Sequence, residues 1–183
     1  MTEQQALDFG DFGFGRSAVL SPDERYRYRL DRRWSDGPTV AWVMLNPSTA
    51  NGVTDDATLT RITRFTRGWG FGALTVVNLY AWRARDPEDL WTAPDPVGPD
   101  NDWHIYQAVA GHEVVVAWGA HAKAERIAEV ARLIASSPEA GLPHALALTK
   151  TGQPRHPLYL RGDLTPRPWT NPALLAEAQQ PGS

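Results

Sequence analysis

Seven consecutive residues, Thr39-Val40-Ala41-Trp42-Val43-Met44-Leu45, carry no charge and stop abruptly at Asn46-Pro47. A strand with one wet face alternates apolar and polar residues. An unbroken apolar run belongs instead to a strand covered on both faces, as in sheets sandwiched between helices. Residues 73–80 and 114–118 repeat the pattern, and residues 144–149 make a fourth, weaker strand. Between the first two runs a helix is expected to start near Thr54 or Asp55. Leu59, Ile62, Phe65 and Trp69 fall on one face, Asp55 and Asp56 suit a helix N-terminus, and Gly68 and Gly70 end it. A second helix carries Ile127, Val130, Ala131 and Ile134 in register. This alternation predicts a three-layer α/β fold, with a central, mostly parallel four-stranded sheet flanked by helices.

Ahead of these elements, residues 18–20 and 26–31 flank Ser21-Pro22-Asp23-Glu24, a turn sequence, so an N-terminal β-hairpin is expected as an addition to the sheet. Tyr26-Arg27-Tyr28-Arg29-Leu30 alternates as a half-buried antiparallel strand does. The expected organisation is one α/β domain over residues 16–178. Residues 1–15 and 179–183, rich in small and polar residues, are expected to be flexible ends.

The composition, 42% hydrophobic and 21% charged, is that of a globular chain. No apolar run is long enough to span a bilayer, and the first residues carry Glu3, Asp8 and Asp11 but no basic residue, unlike a signal peptide. There is no cysteine, which excludes disulfides and Cys-held zinc or iron–sulfur clusters and fits the cytoplasm. His104, His112, His121 and His144 show no metal-ligand spacing, so neither a metal nor another cofactor is expected. The net charge of −3 argues mildly against a dedicated nucleic-acid coat while leaving room for a local basic groove.

Polar residues collect just after the predicted strands: Asn46, Asn78, Trp118-Gly119 and Lys150-Thr151-Gly152. Ligands of open α/β sheets bind at such carboxyl ends. Asn46, held extended before Pro47, offers an amide that can orient a water or read a base edge; with Ser48 and Thr49 it equally makes a turn and helix cap. Asn78 closes an apolar strand and needs partners, from a ligand or from a neighbouring loop. His156 sits in the rigid stretch Gly152-Gln153-Pro154-Arg155-His156-Pro157. There Lys150 and Arg155 should disfavour the imidazolium and leave a neutral donor. The pair Asp55-Asp56 is more commonly a helix cap than a catalytic or metal pair. Arg61, Arg64 and Arg67, joined by Arg83 and Arg85, form either a solvated helix face or a set of phosphate contacts. Trp69, Trp82 and Trp118 are expected in the core or in a pocket wall, where an aromatic ring can stack a base. Ser48 lacks the Gly-x-Ser-x-Gly setting of a hydrolase nucleophile.

Met44-Leu45-Asn46-Pro47-Ser48-Thr49-Ala50, Asp55-Asp56-Ala57-Thr58, Val76-Val77-Asn78-Leu79, Ala117-Trp118-Gly119 and Pro154-Arg155-His156-Pro157-Leu158-Tyr159-Leu160 together resemble a bacterial and phage family of domains of unknown function, over roughly residues 25–162. More distantly, the layout is similar to the uracil-DNA glycosylase superfamily. That likeness implies a water-positioning role for Asn46, base reading by Asn78 and leaving-base stabilisation by His156. Pro47, Ser48, Trp118, Gly119, Lys150 and Arg155 would line the substrate site, and Arg61, Arg64 and Arg83 would contact phosphates. Leu158-Tyr159 stands where that superfamily has Ser-Pro. The implied partner is DNA or a nucleotide-like ligand, and the implied activity is hydrolysis of an N-glycosidic bond at a damaged or modified base. A non-catalytic nucleotide or nucleic-acid binding module, and a hydrolase of free nucleosides or nucleotides, are the alternatives.

Overall fold

The computed structural model describes residues 15–48, 55–84 and 86–170, so residues 1–14 and 179–183 of the expected flexible ends, and Thr49, Ala50, Thr54 and Arg85, lie outside the described residues, while Gly15 opens a strand. The chain forms β1 (Gly15–Leu20), β2 (Arg27–Arg33), β3 (Thr39–Met44), α1 (Ala57–Gly68), β4 (Ala73–Asn78) and the short α2 (Pro87–Leu90). It continues through α3 (Asn101–Val109), β5 (Glu113–Val116), α4 (Ala124–Ser136), β6 (Pro143–Ala145), a 3-10 turn (Pro157–Tyr159) and β7 (Arg167–Pro168).

The architecture is α/β, but the sheet has seven strands where a four-stranded sheet with an N-terminal hairpin addition was expected, in the order β1-β2-β4-β3-β5-β6-β7. The strands β4, β3, β5 and β6 run parallel to one another. β1–β2 and β7 extend the sheet at its two edges through antiparallel pairing. The hairpin is therefore part of the sheet: β4 still exposes a hydrogen-bonding edge after pairing with β3, and β2 satisfies it. Two glycines make the crossing from β2 to β3 possible. The amides of Trp34 and Ser35 both donate to the Gly72 carbonyl, and a Cβ on Gly72 would stand 2.3 Å from the Gly37 nitrogen.

The unbroken run of β3 is buried on alternate sides by two distinct cores. Val40, Trp42 and Met44 pack with Leu59, Ile62 and Phe65 of α1. Ala41, Val43 and Leu45 pack with Ile105 and Val109 of α3 and with Ile127, Val130 and Ile134 of α4. α1 starts at an Asp56 cap whose side chain accepts from the Leu59 amide at 2.7 Å, and it ends at Gly68 with Gly70 in the left-handed region. The helix is pinned to the sheet where the Trp42 indole donates to Thr66 Oγ1 at 3.0 Å. No helix among the described residues is long and apolar enough to cross a membrane.

The β2 strand departs from simple alternation. Val19 pairs with Arg29 and Leu20 with Arg27, so Tyr28 is an extra residue in the ladder, a β-bulge. Tyr28 stacks on His104 of α3 with ring centroids 4.9 Å apart. Arg27 and Leu30 both face the opposite side of the sheet, where α1 lies.

Candidate functional site

A cavity of about 500 Å³ opens on the α1 side at the carboxyl ends of the parallel strands. The chain leaves β3 for β4 on one side and later returns to β5 on the other, so the cavity lies at the reversal of strand order, where α/β sheets place ligands. Asn46, Ser48, Asn78, Trp118, Gly119, Arg155 and His156 all line it. Pro47 and Lys150 do not. Pro47 supports the wall from behind, its carbonyl accepting from the Ala84 amide at 3.2 Å, and Lys150 is exposed.

Asn46 is clamped. Its Nδ2 donates to the carbonyls of Pro47 at 3.2 Å and Ala84 at 3.1 Å, which consumes both amide protons and leaves Oδ1 as the acceptor at the cavity. Next to it, Ser48 Oγ donates to Asp56 Oδ2 at 2.8 Å, so the cap of α1 also fixes the loop after β3.

Asn78 continues the Leu74–Val76 face of β4 into the cavity. It is only 2% exposed, and its Nδ2 has no hydrogen-bond partner among the described residues. Its backbone is held from behind, where Asn101 Nδ2 donates to the Asn78 carbonyl at 3.0 Å. A buried amide left unmatched costs about 1–3 kcal/mol, so a ligand acceptor at this position would recover energy that the fold gives up.

His156 reaches the cavity from the loop that follows β6. The Arg155 amide donates to the Ala147 carbonyl, and the Gly119 amide, in a left-handed turn, donates to the Pro154 carbonyl at 2.8 Å. A Cβ on Gly119 would be 3.7 Å from the His156 Cβ, so the ends of β5 and β6 meet here. His156 Nδ1 accepts from the Leu158 amide at 3.4 Å, which leaves the proton of the neutral ring on Nε2. The imidazole pKa is lowered by desolvation against the cavity wall, with the Asp56 charge opposing. The direction of that shift is the one expected from sequence, but Lys150 and Arg155 are not its cause. Both are exposed, as His156 itself is on its outer side, and neither charge is among the causes of the shift.

Trp118 is fully buried, its indole donating to Gln153 Oε1 at 3.1 Å and its ring set edge-on against Trp169. Trp69 stacks on Trp42, and Trp82 meets Tyr26 edge-on. The arginines expected to touch phosphates do not line the cavity. Arg61 donates to the Leu160 carbonyl and lies over Phe65, bracing the loop that bears His156; Arg64 is exposed; Arg83 donates to the Glu24 carbonyl at 2.8 Å. Arg67 covers the Trp34 ring.

Among the wall residues that the sequence reading did not assign to the site are Arg27, Tyr159 and His121. Arg27 is 7% exposed and lines the cavity, on a strand read from sequence only as half-buried and alternating. Tyr159 stands 88% exposed at the mouth.

The fold and site define an α/β protein with a mixed sheet and one polar cavity across the ends of its parallel strands. Residues 27–158, well over half of the chain, match the model of the family described as Protein of unknown function (DUF1643), and the chain belongs to that family. The match runs from Arg27 to just past His156 and so contains every residue of the cavity wall except Tyr159. No curated protein matches the chain.

Proposed function

We propose that the protein is a glycosylase-like hydrolase that cuts the N-glycosidic bond of a damaged or modified base in DNA. The observation that carries this reading is the buried Asn78 amide, unmatched among the described residues, in one cavity wall with the clamped Asn46 and the neutral His156. The likeness of Asn46-Pro47, Asn78 and His156-Pro157 to the motifs of the uracil-DNA glycosylase superfamily supports it, as does the position of the cavity at the strand ends.

In the reaction the C1′–N bond breaks and its electron pair leaves with the base, while the sugar passes through an oxocarbenium-like state. Asn46 Oδ1 accepts from a water and aims its oxygen at C1′. Asn78 Nδ2 donates to an acceptor on the base edge, and His156 Nε2–H donates to the ring atom where charge develops. The products are a hydroxyl at C1′ and a base that has gained the proton lost by the water. An amide cannot take a proton as a carboxylate does, so catalysis leans on leaving-base stabilisation.

The test is a panel of duplex and single-stranded DNA containing damaged, deaminated and hypermodified bases, read as abasic-site formation. Activity on at least one substrate, abolished in Asn46→Ala and His156→Ala, is the expected result. An intact panel would overturn the proposal. One observation favours free nucleosides or nucleotides instead: none of Arg61, Arg64 and Arg83 lines the cavity, and the net charge is −3. Binding to DNA that does not weaken with salt, together with hydrolysis of a nucleoside, would favour that reading. Ligand binding that survives Asn46→Ala, without turnover in the wild type, would indicate a binding module.

A further inference from the structure

We infer that Ser48 and Asp56 form a proton relay: the hydroxyl takes the proton that the attacking water gives up and passes its own to the carboxylate. This rests on the reading of the cavity as a site of N-glycosidic hydrolysis. Neither Asn46 nor His156 can accept that proton. Asn46 is an amide, and the neutral His156 carries its proton on Nε2 while its Nδ1 takes the Leu158 amide. Among the described residues Asp56 is the one carboxylate that lines the cavity, and Ser48 lines it two residues beyond Asn46. The buried, unmatched Nδ2 of Asn78 in the same wall marks the space as one that receives a polar ligand.

The hydrogen bonds around Asp56 suit this role. Oδ1 accepts from the Leu59 amide at 2.7 Å and holds the start of α1, while Oδ2 accepts from Ser48 Oγ at 2.8 Å. The two duties fall on different oxygens, so a proton arriving on Oδ2 leaves the cap in place. With its own proton committed to Asp56, Ser48 Oγ has lone pairs left for a donor in the cavity. The carboxylate's charge is felt on both sides of it, at Arg27 of β2 and at His156. In the step, the water oxygen bonds to C1′ as the C1′–N electron pair leaves with the base. One water proton moves to Ser48 Oγ, and the Ser48 proton moves to Asp56 Oδ2. Asp56 then returns a proton to solvent and the base anion takes one from it, so no co-reactant is needed.

Asp56→Asn separates this role from capping, because Asn caps a helix as well as Asp does but cannot take a proton. The full chain is assayed on the DNA panel and, in parallel, on inosine and uridine. On whichever substrate is cleaved, Asp56→Asn and Ser48→Ala should each lower kcat about 100-fold or more, with KM changed less than about threefold. Ser48→Thr, which keeps a hydroxyl, should retain part of the rate. Azide, an anionic nucleophile that needs no base, should restore turnover in both deficient variants and leave a glycosyl azide as product. It should not accelerate the wild type. A purely structural Ser48–Asp56 pair would leave Asp56→Asn near the wild-type rate and azide without effect, and either result would overturn the inference. Should Asp56→Asn fail to fold, Ser48→Ala and its response to azide decide. Cleavage of a nucleoside but not of DNA, with the same losses and rescue, would sink the DNA glycosylase reading and leave the relay standing. DNA cleavage that survives both substitutions would do the reverse, and no cleavage of any substrate would overturn both.

Discussion

The two faces of the sheet are built from the same strands and finished differently. On the α3–α4 side Ile105, Val109, Ile127, Val130 and Ile134 close over Ala41, Val43, Leu45 and Val77, and Trp118 and Trp169 seal the end. On the other side the 12-residue α1 covers Trp42, Leu74 and Val76, and among the described residues the cavity opens near its N-terminus. At 1.5 Å per residue α1 is roughly 18 Å long, too short and narrow to roof the whole face. One side of the sheet thus serves stability, and the other gives up some of it to present polar groups.

That contrast can be broken or sharpened by substitution. On the closed face, Ile105→Ala should cost about 2–5 kcal/mol in urea unfolding, because the fully buried site has little room to collapse. At the cavity, Asn78→Leu removes an unmatched amide and should raise stability by about 1–3 kcal/mol while abolishing ligand binding; a loss of stability would show that the amide is satisfied after all. At the border, Asp56→Ala should cost about 0.5–2 kcal/mol from the lost cap, and it should also weaken activity by releasing Ser48. The smallest effect concerns two histidines. The pKa values of the buried His104 on the closed face and of His156, exposed at the cavity mouth, are both lowered, desolvation being the first cause in each and weaker in effect at the wet His156. The unfolded chain therefore binds protons that the folded one resists. Their contribution to stability is complete above the ordinary imidazole value of 6.5 and is lost as pH falls from there through the folded pKa values. His104→Gln and His156→Gln should each flatten Tm against pH in that window, and His156→Gln alone should alter the pH dependence of ligand binding.

Much of this was legible in the chain. The run ending at Asn46, the helix carrying Leu59, Ile62 and Phe65, and the helix carrying Ile127 to Ile134 lie where periodicity puts them, because burial alone decides those positions. α3 escaped for a physical reason. Its buried positions, Asn101, His104, Ile105, Ala108 and Val109, have helical spacing, but two of the five are polar and hide the stripe. The fourth strand was expected to run to Thr149 and ends at Ala145. Beyond it the chain doubles back, with Leu148 bridging to Pro154, to bring up His156. Asn46, Asn78 and His156 could be named from their positions after strands. Their meeting at one cavity, and Arg27 beside them, depend on strand order and on a bulge that no local pattern reveals.

The extra residue at Tyr28 has an evolutionary consequence. Because two residues rather than one separate Arg27 from Leu30, Tyr28 can stack on His104 while the guanidinium stays on the cavity side. A relative lacking that single position would regain a regular ladder, keep its cation and lose the ring pair. A relative keeping the insertion could change either partner without disturbing the other. The bulge makes the two faces separately variable, so a gap placed at this point when family sequences are aligned marks a difference in internal packing, with the cavity charge unchanged.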